Sequence, residues 1–599
     1  MKPETWTVMD LFERDVRYVV PLYQRPYVWG QEDRWEPLWG DVLVLLDHQL
    51  ANTGQAASFS HFLGAIVLEQ ETQAPGRIPV YTIIDGQQRL TTLQLLLTAA
   101  KSVAEDLRSS NEAGLLADLV INDPRKADGD EQMKVWPTNV NRAAFRAVLK
   151  PGPASSEDDD PANLIQEAFQ YFRSTVADWV ADADPADRQD RLATLRVTLS
   201  DLVKVVSITL EPGDNAQIIF ETLNARGTPL LALDLVKNAV FHQAARQGRD
   251  IDKLYGEVWQ PELEQDRWRD ERRQGRLFRA QGELFLMHWL GMKLRRVTPA
   301  TELFTTFRKD VLQAVPPPNM ADLIRELNRD AAIYRKFDEQ PKGSPEALFF
   351  ERLQALDVTT VMPLVLLLFT HPSVSAARRR KALASLESWL VRRMLLRLTT
   401  KNYNSEVAQL LAKVSLDPDR ADEGIREHLM NSSSDTNRWP SDTEVITAIE
   451  SRDIYNVITQ ARVAMVLRAV ELSLCPAGMD LPVAIPTNLW IEHVMPQQWE
   501  THWPLRDDLG PEERATRALE RNSRLHRLGN LTLTSMKMNI ELSNSAWPVK
   551  RTKLNDGSKL LLNTDLVKCY PDLFDDHAID ERTSTLSKRI CAIWPSPNG

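Results

Sequence analysis

Three cysteines in 599 residues, Cys475, Cys569 and Cys591, are too few and too scattered for a disulfide framework or a cysteine-rich zinc site. A reducing compartment is expected. Long apolar runs are absent as well. The longest, Val361 to Phe369, falls well short of the ~20 residues that a membrane span needs, and the opening MKPETWTVMDLFERDV holds none. These two absences point to a soluble, cytoplasmic protein without membrane contact. Positive charge is not in excess: the formal net charge is -11, which argues against a chain that coats nucleic acid non-specifically. A local basic surface remains compatible with phosphate binding. No GxxxxGK[ST] occurs, which excludes a P-loop, and no repeat of fixed period is found.

What is present is ordinary globular composition, 43% hydrophobic and 26% charged, in a chain long enough for three or four domains at roughly 100 to 200 residues each. The first hundred residues predict an apolar strand from His61 to Glu69, a second from Val80 to Ile84 and a helix from Gln87, hence a small sheet with helices packed on it. Residues 101 to 240 are mainly helical in period, interrupted by the acidic, Ser/Pro-rich loop PGPASSEDDDP. From Asp234 to Leu429 helix follows helix. The polar segment MNSSSDTNRWPSD, Met430 to Asp442, marks a boundary before the last domain. The expected organisation is multidomain α+β: an N-terminal α/β domain over 1–240, an α-helical middle region over 241–434 and a last domain over 435–599.

Near the C-terminus, the sequence LWIEHVMPQ places Glu492 and His493 at the end of a short apolar strand before a proline-marked loop. Some thirty residues on, LHRLGNLTLT reads as a second strand after Gly529-Asn530, and a helix begins near Met536, with Asn539, Asn544 and Lys550 following. Phosphodiester hydrolysis needs a base to deprotonate water and a divalent cation to neutralise charge on the phosphate. A strand-end histidine beside a carboxylate, facing asparagines from a helix, supplies the residue types for both. A lone Glu-His pair carries little weight, and asparagines often only cap helices or turns. The ordered set, however, resembles the ββα-metal (HNH) fold and the C-terminal nuclease domain of GmrSD-type restriction enzymes. That resemblance implies that His493 activates water, that Glu492 and Asn539 ligate Mg²⁺ or Mn²⁺, and that Asn530 holds the imidazole in the right tautomer. Asn544 is an alternative to Asn539, which the spacing from Asn530 favours. His526, set among Arg521, Arg524 and Arg527, reads as a phosphate contact or plain surface.

Three N-terminal segments carry unusual polar density: PLYQRPYVW, IDGQQR and FETLNARG. In the second, a strand runs through Asp85-Gly86 directly into a helix, an arrangement that attracts phosphates. Gly86 permits close backbone approach and Arg89 offers a planar fork of donors. The plain structural reading makes Asp85 an N-cap and Arg89 a surface ion-pair partner. Together with HFLGAIVL and TPLLALDLVKN, the three segments resemble the GmrSD N-terminal domain, a ParB/sulfiredoxin-like fold with a DGQQR motif, over roughly residues 10 to 245. The resemblance implies a nucleotide pocket for GTP or ATP, lined by Gln24, Arg25, Asp85, Gly86, Gln87, Gln88, Arg89, Asn224, Arg226 and Gly227. One departure is that the helix near Leu231 lacks the usual Ser or Thr cap, for which Thr228 before Pro229 is a substitute.

Two middle stretches are basic: Arg267 to Arg279 and Ala377 to Lys401. Either a phosphate backbone or neighbouring acidic side chains would satisfy them. The whole resembles fused GmrSD, BrxU or SspE proteins of phage defence, which implies a modification-dependent DNA endonuclease regulated by nucleoside triphosphate. An RNase or nuclease toxin, and a non-catalytic ParB-like regulator, are the competing readings. A homodimer is compatible with all three.

Overall fold

The computed structural model describes residues 2–22, 24–51, 59–71, 77–149, 163–210, 231–275, 277–476, 485–486, 488–506 and 508–597. They form two compact units, residues 1–258 with 319–321, and residues 259–318 with 322–599. Among the described residues no helix is long and apolar enough to cross a membrane.

The first unit is built on a six-stranded sheet in the order β1-β6-β3-β4-β2-β5. Its strands are β1 (Lys2–Thr7), β2 (Arg17–Val19), β3 (His61–Gln70), β4 (Val80–Asp85), β5 (Val135–Trp136) and β6 (Val203–Leu210). The two strands expected from sequence are present, but β6 lies in a stretch expected to be mainly helical. Its sequence VKVVSITL alternates, burying Val203, Val205 and Ser207 on one face. The β-branched residues suit a pleated surface, and the strand pairs antiparallel with β1 and parallel with β3. β4 passes through Gly86 into the helix Gln87–Asp106, which is buried on all sides from Leu90 to Ala100 and forms the axis of the unit's core. The hydroxyls of Thr92 and Thr98 inside it donate to the carbonyls of Gln88 and Gln94, so their burial leaves no donor unmet.

The second unit is mainly helical. The expectation of helices alone from Asp234 to Leu429 misses an antiparallel hairpin, β7 (Glu271–Gln274) with β8 (Leu277–Ala280). The basic stretches resolve largely into internal pairs. Arg267 and Arg272 both meet Asp338, at 3.2 and 2.6 Å. On the helix Ala376–Leu395, Arg378 meets Asp422 and Arg380 meets Glu346, each at 2.8 Å, while Arg379 lies over the Phe369 ring. Arg392 and Arg393 are fully buried. Arg392 donates to the carbonyls of Trp594 (2.6 Å) and Pro440 (3.0 Å) and meets Asp442, and Arg393 donates to those of Arg438, Thr399 and Thr436. A guanidinium buried this way acts as a cross-link for backbone that has no secondary structure of its own. The polar segment of residues 430–442 is therefore stitched to the helix Ala376–Leu395, with Trp389 Nε1 donating to Asn437 O at 2.8 Å. Residues 259–318 and 322–434 belong to the same compact unit as residues 435–599.

Substituting Arg393→Met leaves several buried carbonyls without a donor and is expected to cost about 3 kcal/mol or more. Urea unfolding followed by tryptophan fluorescence measures it. A loss below about 1 kcal/mol would mean that these carbonyls find other donors.

Candidate active site

The polypeptide that carries the Glu-His pair folds as strand, strand, helix. β9 (Trp490–His493) pairs antiparallel with β10 (Leu531–Thr534), with His493 opposite Leu531 and Glu492 opposite Thr532. The helix Met536–Leu542 follows at once, capped by the Ser535 hydroxyl, which accepts from Met538 N. Two short strands cannot hold such geometry alone, and the support comes from the helix Asp576–Ile593 behind them. Arg582, fully buried and lowered by that burial to about 10, donates to the carbonyls of Gly529 and Leu531 at 2.6 and 2.8 Å. Gly529 packs so closely on this helix that a Cβ would lie 2.2 Å from Ile579 O and 2.4 Å from Thr583 Oγ1. Arg521 pairs with Asp576, and Arg524 and Arg527 pair with Asp580, so the arginines around His526 are spent on the same helix.

Glu492 is held from two sides. Lys550, fully buried on the helix Trp547–Gly557, donates to Glu492 Oε1 at 2.5 Å and to His493 O at 2.8 Å. The other carboxylate oxygen receives Asn539 Nδ2 at 2.8 Å. Burial pushes the Glu492 carboxyl up against the opposing pull of Lys550, and pulls the Lys550 ammonium down against that of Glu492. Asn544 is exposed and bonds Gln498. Asn539 is thus the amide that stands beside Glu492.

Burial, with His526 and Lys550 nearby, pushes the His493 imidazole down to about 3. Its Nε2 lies 3.1 Å from Nδ1 of His526. The Tyr455 ring stacks on His526 and meets His493 edge-on, at centroid distances of 5.6 and 4.6 Å. His526 therefore stands beside His493 in the site. Asn530 does not touch the imidazole as expected. Its fully buried amide accepts from Met495 N (2.7 Å) and donates to the carbonyls of Met495 and Leu525 (2.9 and 2.8 Å). Those bonds use both amide hydrogens, and they tie the loop after β9 to the turn before β10. Sequence reasoning missed Tyr455, which lies in the short helix Ile454–Val457 with no motif around it.

The centre opens on a groove of about 2160 Å³ whose walls include Tyr455, Glu492, His493 and Asn539 and, further along, Arg272, Arg273, Arg352 and Arg468. Among the described residues no cluster of three or more His, Cys, Asp or Glu side chains forms a closed metal cage.

In the first unit the DGQQR residues mostly hold their own neighbourhood. Gly86 sits at φ 95° with Ile66 Cγ2 only 2.7 Å from where a Cβ would be, so the strand-to-helix turn needs glycine. It occupies the N-cap position itself, so Asp85 does not. Gln24 Nε2 donates to Ile83 O, Gln87 Nε2 to Arg25 O and Gln88 Nε2 to Pro26 O, and Gln88 Oε1 accepts from Val28 N. These amides clamp the segment Gln24–Val28 onto the helix start, leaving their donors committed. Gln87 Oε1 is buried without a partner among the described residues. Arg89 donates to Ala65 O at 2.9 Å and lies 3.7 Å from Asp85, whose carboxyl burial pushes up. Arg25 is lowered by burial, with Asp234 and Asp85 opposing. Arg25, Asp85 and Arg89 thus remain as the charged cluster. Asn224, Arg226 and Gly227 lie outside the described residues, as does Thr228, and the helix Ala232–Arg246 begins without a side-chain cap.

The second unit therefore carries a ββα centre with a Glu-His pair at a strand end and an asparagine facing it from the helix. Two family models match the chain: the N-terminal domain of GmrSD restriction endonucleases over residues 8–241 and the C-terminal domain of the same enzymes over residues 439–589. The chain belongs to the GmrSD restriction endonuclease family. No curated protein gives a significant match.

Gly529→Ala is expected to push β10 off the helix Asp576–Ile593, at a cost of about 3 kcal/mol, because Ile579 O and Thr583 N are backbone atoms that cannot swing away. Differential scanning calorimetry reads the shift, and an unchanged transition would show that the helix yields freely.

Proposed function

We propose that this chain is a modification-dependent DNA endonuclease of phage defence, with cleavage at the Glu492-His493 centre and licensing by nucleoside triphosphate in the N-terminal domain. The observation that carries the cleavage half is the juxtaposition of a buried His493 with a Glu492 carboxylate and the Asn539 amide 2.8 Å from it, inside a family domain of restriction endonucleases.

The donor set fits a magnesium or manganese ion. One carboxylate and one amide, in a centre open to a groove, suit a hard cation that keeps several waters, and the amide presents its oxygen when turned over. Glu492 and Asn539 would hold the ion, which when bound supplies positive charge against the phosphate and the leaving oxygen. His493 takes the proton of the attacking water, a role that its place at the strand end beside Glu492, on the groove wall, supports. Lys550 keeps Glu492 from turning away and fixes the carbonyl end of β9. The groove of about 2160 Å³ onto which the centre opens, with Arg273 in its wall, supports a polynucleotide as substrate.

In the N-terminal domain, Arg25, Asp85 and Arg89 are the charged groups on which nucleotide recognition would fall, with Gln87 Oε1 as an unmet acceptor. Licensing is read as a population shift: the triphosphate favours a cleavage-competent state and the unbound protein spares host DNA.

His493→Ala is expected to lower Mg²⁺-dependent cleavage by about a hundredfold or more while nucleotide binding persists. Assays on modified phage DNA, plain DNA and RNA, each with and without GTP or ATP, measure substrate and coupling together. Cleavage confined to RNA would overturn the proposal. For the second site, Arg89→Ala is expected to weaken nucleotide binding by about tenfold, as one charge-assisted contact is lost. Calorimetric titration reads it, and an unchanged affinity removes Arg89 from the pocket.

A further inference from the structure

A histidine pair at 3.1 Å poses a question that the catalytic reading leaves open: which nitrogen of His493 is the base. Two imidazole nitrogens 3.1 Å apart hold a single proton on that contact, because two N–H groups cannot point at each other. If His526 Nδ1 carries it, His493 Nε2 is an acceptor, its lone pair is occupied, and its own proton sits on Nδ1. Neither nitrogen of His493 is then available to take a proton from water. If His493 Nε2 carries it, His526 Nδ1 accepts and Nδ1 of His493 keeps a bare lone pair. Only the second arrangement leaves a working base.

We propose that His526 is the positioning residue of the centre: its Nδ1 accepts the His493 Nε2 proton, fixes that tautomer and leaves Nδ1 of His493 as the base. This inference rests on the nuclease reading of His493, but the residue it singles out comes from the 3.1 Å contact and from the way His526 is held. Tyr455 N donates to His526 O at 3.1 Å, and the Tyr455 ring lies 14° from parallel to the His526 ring. Main chain and side chain of His526 are thus both set by one residue from the short helix Ile454–Val457. The same ring meets His493 edge-on, so the two imidazoles are kept at 83° to each other, and each can turn little without striking Tyr455. The asparagine that might have done this work, Asn530, has its Oδ1 engaged by Met495 N and both amide hydrogens engaged by backbone carbonyls.

The experiment uses the full chain with ¹⁵N-labelled histidine and two variants. His526→Asn places an amide oxygen near the position of Nδ1 and keeps an acceptor, and His526→Leu removes it. In the parent, His493, assigned by its loss in His493→Ala, is expected to show a protonated Nε2 and a bare Nδ1. His526→Leu should mix the tautomers and lower kcat by about a hundredfold with KM within about threefold, and His526→Asn should recover at least about a tenth of the parent kcat. A parent protonated on Nδ1, a His526→Leu variant that cuts at the parental rate, or a His526→Asn variant no faster than His526→Leu would each overturn the proposal. Thermal unfolding separates a folding defect from a catalytic one: should His526→Leu unfold, the parent spectrum and His526→Asn still decide. If no nucleic acid is cleaved by the parent, the nuclease reading fails, while the tautomer of His493 is still read from the spectrum.

Discussion

The buried ammonium of Lys550, shared between the Glu492 carboxylate and the His493 carbonyl, is the contact from which the rest of the centre takes its geometry. A buried ion pair gains little net stability, because removing both charges from water costs about as much as their attraction returns. Its consequence is positional. One end of Glu492 is fixed, so the other oxygen can only face Asn539, and the end of β9 cannot fray although the strand has only four residues. Behind it, Arg582 repeats the device, a fully buried cation holding carbonyls on either side of Asn530. Two short strands are thereby made rigid by side chains from helices that follow them in the chain.

The same economy appears elsewhere. Arg392 and Arg393 bind the irregular segment of residues 430–442 and the C-terminal tail through backbone carbonyls, and Gln24, Gln87 and Gln88 clamp the N-terminal loop onto the DGQQR helix. In each case polar side chains do for irregular backbone what ladders do for strands. Irregular segments beside a functional centre need such partners, because buried carbonyls and amides without them would cost as much as the packing gains.

This use of polar residues is also what makes the motifs ambiguous in sequence. Conspicuous runs such as DGQQR or RRMLLR look the same whether their donors face a ligand or the protein's own backbone. In the N-terminal unit the glutamines turned inward, and only Arg25, Asp85 and Arg89 remained together as charged groups. In the helix Ala376–Leu395 the arginines that might have followed a phosphate backbone were mostly paired or buried. His526 went the other way: a residue that reads as surface or phosphate contact lies against His493, with a tyrosine from a distant, motif-free helix stacked on it.

By itself the sequence determined the local order of elements. The strands at His61 and Val80, the helix after Gly86, and the strand-strand-helix order from Trp490 to Leu542 all follow from periodicity, β-branched runs and caps, which act between near neighbours. The sequence motifs also carried the resemblance that implied Glu492, His493 and Asn539 as one set, with Asn544 as an alternative to Asn539. Tertiary structure alone decided the partners. That β6 sits between β1 and β3, that Asn530 binds backbone and not the ring, that Lys550 reaches Glu492 and that Tyr455 aligns two histidines depend on contacts across tens of residues. Such contacts are selected by the packing of each unit, where the helix facing Gly529 leaves no room even for a Cβ.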